Sequence, residues 1–306
     1  MKLRPAAAFI LSLIIITGSI SCGKTLYNFA KKSERGKAQL IEKTIQVGDH
    51  KIVYLEGGAG ETILLVHGFG GDKDNWTRFA QQFAGKYRVV APDLPGFGES
   101  SRLESAHYDI DTQTLRLRNF AKALGLEKFH IAGNSMGGWI SANYAVNYPG
   151  DLLTLTLMNA AGLITSDKSE MMLLVEQGFN PLLVSDVKDY DRLMKFVFVK
   201  PPYVPGPLKK EFAEKAVEHK DFNDKIFADL RERSPSMKKF LHRITAPSLI
   251  IWGDTDRVLH VSGAEIFDRG IKNSRVYILK KCGHLPMIER PEETAGVFLK
   301  FIAGEL

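Results

Sequence analysis

Gly133-Asn134-Ser135-Met136-Gly137-Gly138 follows the apolar stretch Lys128-Phe129-His130-Ile131-Ala132 and precedes Trp139-Ile140-Ser141-Ala142-Asn143-Tyr144-Ala145. A G-x-S-x-G between a strand pattern and a helix pattern is a nucleophile elbow, a turn so sharp that a Cβ on the flanking glycines would clash. Such a turn pushes the Ser135 hydroxyl out at the end of a sheet. It also places Ser135 at a helix N-terminus, where unpaired N–H groups and the macrodipole favour developing negative charge. The fold this requires is a strand and helix alternation on either side. The chemistry it requires is a base, an acid and an oxyanion hole.

The alternation is present. From Ile52 onward, short β-rich runs read as strands over Ile52 to Leu55, Ile63 to Val66, Arg88 to Ala91, Phe129 to Ala132, Leu153 to Met158, Ser248 to Trp252 and Val276 to Leu279. Several are continuous apolar runs, as parallel strands covered on both faces should be. Helical patterns lie between them over Asn75 to Phe83, Asp111 to Leu124, Gly138 to Tyr148, Ser262 to Gly270 and Glu292 to Ile302. Asp111 and Ser262 are expected as N-caps, and Pro291 suits a first helical turn. The class is α/β, with a mostly parallel central sheet and helices on both faces.

From about Leu163 to Arg243 the rhythm breaks. This stretch has no convincing strand, but it has apolar helical segments over Met171 to Val175 and Leu193 to Val199, separated by Pro201-Pro202-Tyr203-Val204-Pro205-Gly206-Pro207. It reads as a helical cap inserted over the carboxyl edge of the sheet, where ligands bind in open α/β folds. The core is then expected over 46–162 and 244–306, with the cap over 163–243.

The N-terminus differs in kind. Lys2 and Arg4 precede an uncharged stretch from Pro5 to Gly23, the pattern of an export signal. It ends Thr17-Gly18-Ser19-Ile20-Ser21-Cys22-Gly23, which resembles a permissive bacterial lipoprotein box with Cys22 as the lipidated residue; Ser19 stands where the common box has leucine. A plain cleaved signal or an uncleaved anchor is the alternative. Residues 1–21 are expected as the signal segment and 22–45 as a basic tether. In that tether Lys24, Lys31, Lys32, Arg35 and Lys37 face only Glu34 over its first part, which suits anionic headgroups and equally a solvated linker. These cations supply much of the formal charge of +6 across 306 residues, so no nucleic-acid partner is inferred. The 44% hydrophobic and 25% charged fractions are those of an ordinary soluble globule. With two cysteines in all, lipidation of Cys22 leaves Cys282 a free thiol and no disulfide framework.

A serine hydroxyl is a weak nucleophile at neutral pH and needs an adjacent base. Of eight histidines, His284 is the best placed, in the Gly-containing loop Lys280-Lys281-Cys282-Gly283-His284-Leu285-Pro286 after the last strand. His67, before Gly68 in a tight turn, reads as structural, and the other six have no comparable context. The imidazole must be held in one tautomer and its cation stabilised, which a carboxylate does. Gly253-Asp254-Thr255-Asp256 offers two. Asp256 is preferred because the extra residues carry it over the sheet edge, while Asp254 suits a loop cap; Asp254 stays open as the alternative. The order serine, acid, histidine is that of the α/β-hydrolases. The oxyanion hole is expected from the backbone N–H groups of Met136 and Phe69, each contributing on the order of 3 kcal/mol in the transition state. Asp93, in the tight turn before Pro95 and Gly96, reads as a structural residue of that loop.

Val66-His67-Gly68-Phe69-Gly70-Gly71, Asp93-Leu94-Pro95-Gly96-Phe97-Gly98-Glu99-Ser100, Gly133 to Gly138, Trp252 to Asp256 and Cys282-Gly283-His284 together resemble the α/β-hydrolase superfamily over nearly everything from Ile52 onward. Tyr54-Leu55-Glu56, Gly70-Gly71-Asp72-Lys73-Asp74-Asn75, Lys200-Pro201-Pro202-Tyr203 and His284-Leu285-Pro286-Met287 are similar to bacterial triacylglycerol lipases and esterases of the cold-adapted Moraxella type. The resemblance implies an ester hydrolase with an acyl-enzyme intermediate, no metal and no organic cofactor. Carbon–carbon bond hydrolases of ring-fission products share Gly-Asn-Ser-Met-Gly-Gly, but many carry tryptophan after the histidine, where Leu285 stands. A non-catalytic binding lipoprotein is the reading from another class, against which every triad position holds a competent residue. Met171, Leu174, Phe196 and Phe198 are expected on the acyl side of the pocket, although packing within the cap accounts for each of them as well. No protein partner is evident. The expected location is the envelope of a bacterium, after export.

Overall fold

The computed structural model describes residues 23–306, so the expected signal segment 1–21 and the expected lipidation site Cys22 lie outside the described residues. The chain begins in helix α1 (23–37) and continues through strand β1 (Ile41–Val47), β2 (His50–Gly57), β3 (Thr62–Val66), a short α2 (Thr77–Ala80) and β4 (Arg88–Pro92). Then come α3 (Ile110–Ala123), β5 (Phe129–Asn134), α4 (Met136–Asn147) and β6 (Leu152–Met158). Helices α5 (Glu170–Glu176), α6 (Val187–Val197), α7 (Gly206–Glu218) and α8 (Lys220–Arg233) form the segment before β7 (Ser248–Gly253). The chain closes with α9 (Ser262–Gly270), β8 (Ser274–Leu279), α10 (Pro286–Glu289) and α11 (Pro291–Ile302).

The eight strands form one sheet in the order β1-β2-β4-β3-β5-β6-β7-β8. β1 and β2 pair antiparallel, as do β2 and β4, and the remaining neighbours are parallel. Every residue of β3, β5 and β7 is buried, which explains why these strands read as unbroken apolar runs. Successive side chains point to opposite faces, so each strand feeds two cores. Leu64, Val66, Ile131, Leu155 and Trp252 pack under α3, α4 and α9, with Leu117, Phe120, Ile140, Tyr144 and Phe267. Ile63, Leu65, Ala132, Met158 and Ile251 pack on the other side with Trp76, Phe79, Phe83 and Phe298.

The register positions the site. Val66 of β3 pairs with Gly133 of β5, Asn134 with Met158 of β6, Met158 with Ile251 of β7, and Gly253 with Leu279 of β8. Five loops therefore leave one edge of the sheet side by side, beginning at residues 67, 135, 159, 254 and 280.

Three local expectations are corrected. Asp109, not Asp111, caps α3; it is extended at φ −65° and ψ 166°, and its carboxylate accepts the N–H of Thr112, so the helix starts one residue earlier than expected. Val261 stands at the N-cap of α9 without a side-chain bond, because the Ser262 hydroxyl is engaged by His260 Nδ1 at 2.8 Å and lies inside the helix. The described part of the expected tether is folded: it supplies α1 and β1. Arg35 grips Asp74 with Nε at 2.5 Å and a second nitrogen at 2.8 Å and reaches Glu42 at 2.9 Å, while Lys31 pairs with Asp74 at 2.7 Å. Tyr27 packs edge-on against Phe212 of α7, ring centroids 5.2 Å apart, with the Lys215 ammonium 4.1 Å above its ring. Two of the expected headgroup-seeking cations are thus bound to acids of the protein itself. Among the described residues, no helix is long and apolar enough to cross a membrane.

Between β6 and β7 the structure has helices and no strand. Its last helix, α8, is tied to the body: Phe222, Ile226 and Leu230 join the core under α3, and Asp229 accepts the N–H of Tyr108 at 2.9 Å.

Candidate active site

Ser135 sits between β5 and α4 at φ 54° and ψ −120°, a conformation that costs a side-chain-bearing residue on the order of 1–3 kcal/mol. The surroundings hold it there. Its N–H donates to Met158 O at 3.1 Å, and its own carbonyl accepts Trp139 and Ala161 N–H at 3.1 and 3.0 Å. A Cβ on Gly133 would collide with the Gly137 carbonyl, and one on Gly137 with the carbonyls of Val66 and His67. The glycines of the motif are thus demanded by backbone crowding.

His284 directs Nδ1 to Asp256 Oδ2 at 2.9 Å, and both side chains are shielded from solvent. Asp256 is saturated with donors: Oδ1 accepts Val258 and Leu259 N–H at 2.8 and 3.1 Å, and Oδ2 also accepts Asn159 Nδ2 at 2.7 Å. This fixes Nδ1 of His284 as the protonated nitrogen and leaves Nε2 with a lone pair. Asp254 lies outside this constellation. Its Oδ1 accepts Lys281 N–H at 2.7 Å and the Thr255 hydroxyl at 2.8 Å, which closes the loop. Of the two acids left open by the sequence, Asp256 is the one in contact with His284.

The loop after β3 lies against the elbow. A Cβ on Gly68 would stand 3.1 Å from Ser135 Cβ, and Gly70 adopts φ 68° two residues further on. Met136 is the first residue of α4, so its N–H is one the helix does not use. Phe69 is half-buried, its ring edge-on to Phe97 and Phe227 at 5.8 and 5.6 Å. His67 pins this loop: Nδ1 donates to Gly68 O at 2.8 Å, and Nε2 accepts Leu94 N–H at 3.0 Å. Burial lowers its pKa to about 4, so the imidazole is neutral and that acceptor role stands at physiological pH. Asp93 binds the N–H and the fully buried ammonium of Lys73 at 2.7 and 2.8 Å and the Glu99 N–H at 2.8 Å. Both residues therefore serve as loop anchors.

The four pocket candidates fall in one cluster. Phe196 and Phe198 are buried with Val197 and Val258, and Met171 and Leu174 pack against them from α5 together with Leu285. Arg257 clamps this group, its guanidinium 4.7 Å from the Phe196 ring and its Nε 2.6 Å from Glu170. Burial raises the Cys282 thiol to about 12, so it is an inert core residue. Among the described residues, no group of three or more His, Cys, Asp or Glu side chains could hold a metal ion.

Two residues escaped the sequence reading. Asn159, at φ 45° after β6, joins the Asp256 carboxylate to Gly283 O at 3.3 Å. Glu289 accepts Gly283 N–H at 2.9 Å. Asn159 reaches partners 97 and 124 residues away, and Glu289 accepts from donors 6, 89 and 90 residues away, so no local pattern marks them.

The order of the strands, the elbow between β5 and α4, and the carboxylate and histidine after β7 and β8 define an α/β-hydrolase. The sequence pattern of the alpha/beta hydrolase family matches residues 63–297, and the chain belongs to that family. It is 38% identical to Lipase 1 of Psychrobacter immobilis over 274 residues, covering 88% of this chain and 86% of that one. Lipase 3 of Moraxella sp. is 36% identical over 313 residues, 99% of this chain and 98% of that one. Among solved structures it is similar to a bacterial membrane phospholipase A, with 45% identity, a TM-score of 0.93 and 98% of both chains covered.

Proposed function

We propose that the chain is a lipase or esterase that cleaves carboxylic esters, acyl-glycerols and similar lipid esters among them, through an acyl-enzyme formed on Ser135. The observation that carries this reading is the 2.9 Å contact of His284 Nδ1 with Asp256, on loops that the sheet register places beside the Ser135 elbow. Similarity to named lipases across most of the chain supports the ester as substrate.

His284 Nε2 takes the Ser135 proton as Oγ attacks the ester carbonyl. The N–H groups of Met136 and Phe69 receive the oxyanion, and Asp256 stabilises the imidazolium. The imidazolium gives its proton to the departing alcohol. Water, deprotonated by the same nitrogen, then releases the acid. Met171, Leu174, Phe196 and Phe198 supply an apolar wall toward the acyl chain. The sheet with its flanking helices, β1 (Ile41–Val47) included, carries the chemistry, and the segment over 163–243 covers it.

We further assign the protein to a bacterial envelope, exported by residues 1–21 and tethered through a lipid on Cys22. The apolar N-terminal run before Cys22 and the likeness to a membrane phospholipase A support this. The test of the activity is a panel of esters of rising chain length run beside Ser135→Ala. Turnover that stops in a folded Ser135→Ala variant is the expected result, and undiminished turnover would overturn the mechanism. Palmitate labelling that survives Cys22→Ala would overturn the lipid site.

A further inference from the structure

The backbone of His284 is not held by the core alone. Its carbonyl accepts Asn134 Nδ2 at 3.0 Å, from the residue before the nucleophile, but its N–H donates to Val197 O at 2.8 Å, at the end of cap helix α6. The preceding Gly283 lies so close to this cap segment that a Cβ would meet Val197 O and Phe198 Cα. Behind both stands Glu289, one turn after the histidine in α10. Its Oε2 accepts Gly283 N–H at 2.9 Å and Val199 N–H at 3.4 Å, and its Oε1 accepts Lys200 N–H at 2.7 Å. One carboxylate therefore satisfies three backbone donors, one on the histidine loop and two on the connector between α6 and α7.

We propose that Glu289 is a positioning residue that makes the alignment of His284 depend on the seating of the cap. This rests on His284 being the base, as proposed above. A carboxylate with several N–H donors is rigid, because each bond is charge-assisted and the set fixes both oxygens. The cap connector and the histidine loop consequently move as one unit. When the connector over Val197 to Lys200 shifts, His284 N–H loses Val197 O, Glu289 loses the two connector donors that hold it under Gly283, and the imidazole leaves its alignment. Misplacement of a reacting group by about 1 Å can cost on the order of 100-fold in rate. The cap is thus part of the assembly of the catalytic site as well as a wall around it.

The experiment compares Glu289→Gln, Lys200→Pro and the double variant with the wild-type chain on a soluble short-chain ester, below the melting temperature of each. Glutamine keeps the shape but turns an N–H2 toward backbone donors, and proline removes the Lys200 N–H together with the exposed lysine side chain. The expected result is a fall in kcat of about 10-fold for Glu289→Gln, the size of one weakened charge-assisted bond, with KM little changed. Lys200→Pro should lower kcat as well, and its effect should largely vanish in the Glu289→Gln background. Backbone amide exchange at residues 199 and 283 should rise in both single variants, and at residue 200 in Glu289→Gln. A purely structural role would lower Tm and leave kcat alone, and that outcome overturns the proposal. Fully additive effects of the two substitutions on kcat would overturn it as well. Ser135→Ala and His284→Ala run alongside separate the two readings. If they abolish turnover while Glu289→Gln keeps the wild-type kcat, only the positioning role fails; if they leave turnover intact, the triad itself fails.

Discussion

Asn159 is where the structure makes its sharpest catalytic prediction. Its amide donates at 2.7 Å to the same Asp256 oxygen that holds His284, and its φ of 45° is one that glycine adopts freely. Asn159→Gly therefore deletes the side-chain bonds without straining the backbone, and Asn159→Ala deletes them and adds on the order of 1 kcal/mol of left-handed strain. A hydrogen bond to a charged group contributes about 1.5–3 kcal/mol, and about 1.4 kcal/mol is tenfold in rate. If the loss of the bond lets Asp256 and with it His284 drift out of line, kcat falls about 10- to 100-fold in both variants, while only Asn159→Ala carries the extra loss in Tm. The assay is a pH series of steady-state ester hydrolysis with parallel thermal melts. An Asn159→Gly variant with wild-type kcat would refute the reasoning.

Ser135→Gly should abolish turnover yet raise stability by about 1 kcal/mol or more, since the φ of 54° suits glycine; urea titration against the wild type and Ser135→Ala measures it. Asp256→Asn should lower kcat on the order of 10⁴-fold through the wrong imidazole tautomer, whereas Asp254→Asn, at a loop closure, should change kcat little, and the reverse ranking in the same assay would exchange their roles. His67, with its folded pKa lowered to about 4 from an ordinary 6.5 by burial, binds a proton more readily when unfolded. Its contribution to stability is therefore present above about pH 6.5 and lost as pH falls toward 4, so chemical denaturation across that window should show a slope that His67→Gln flattens. A slope unchanged by that substitution would place the titrating group elsewhere.

Much of this architecture is legible because its signals are local. Seven of the eight strands stand in the sequence as short apolar runs, and the elbow is a six-residue pattern whose glycines answer to collisions within a few residues and one neighbouring strand. The ordering of Ser135, Asp256 and His284 could be read because parallel strands deliver their loops to one edge, so chain order translates into proximity. Asp254 and Asp256 could be ranked for the same reason: two residues of additional reach decide which carboxylate passes the edge.

What stayed hidden depends on partners far away in the chain. Arg35 and Lys31 look like members of a basic run until Asp74 and Glu42 are folded against them, and β1 looks like linker because its burial pattern is mostly exposed at the sheet margin. A cation count within a window measures sequence neighbours, whereas the electrostatics of α1 is set by acids about forty residues later. Asn159 and Glu289 obey the same logic inside the site. Each is an ordinary polar residue whose function consists of closing two loops that the sequence does not bring together. The residues that do the chemistry can be read from motif and order, but those that hold the chemistry in line are defined by long-range closure, and only the folded register shows where that closure falls.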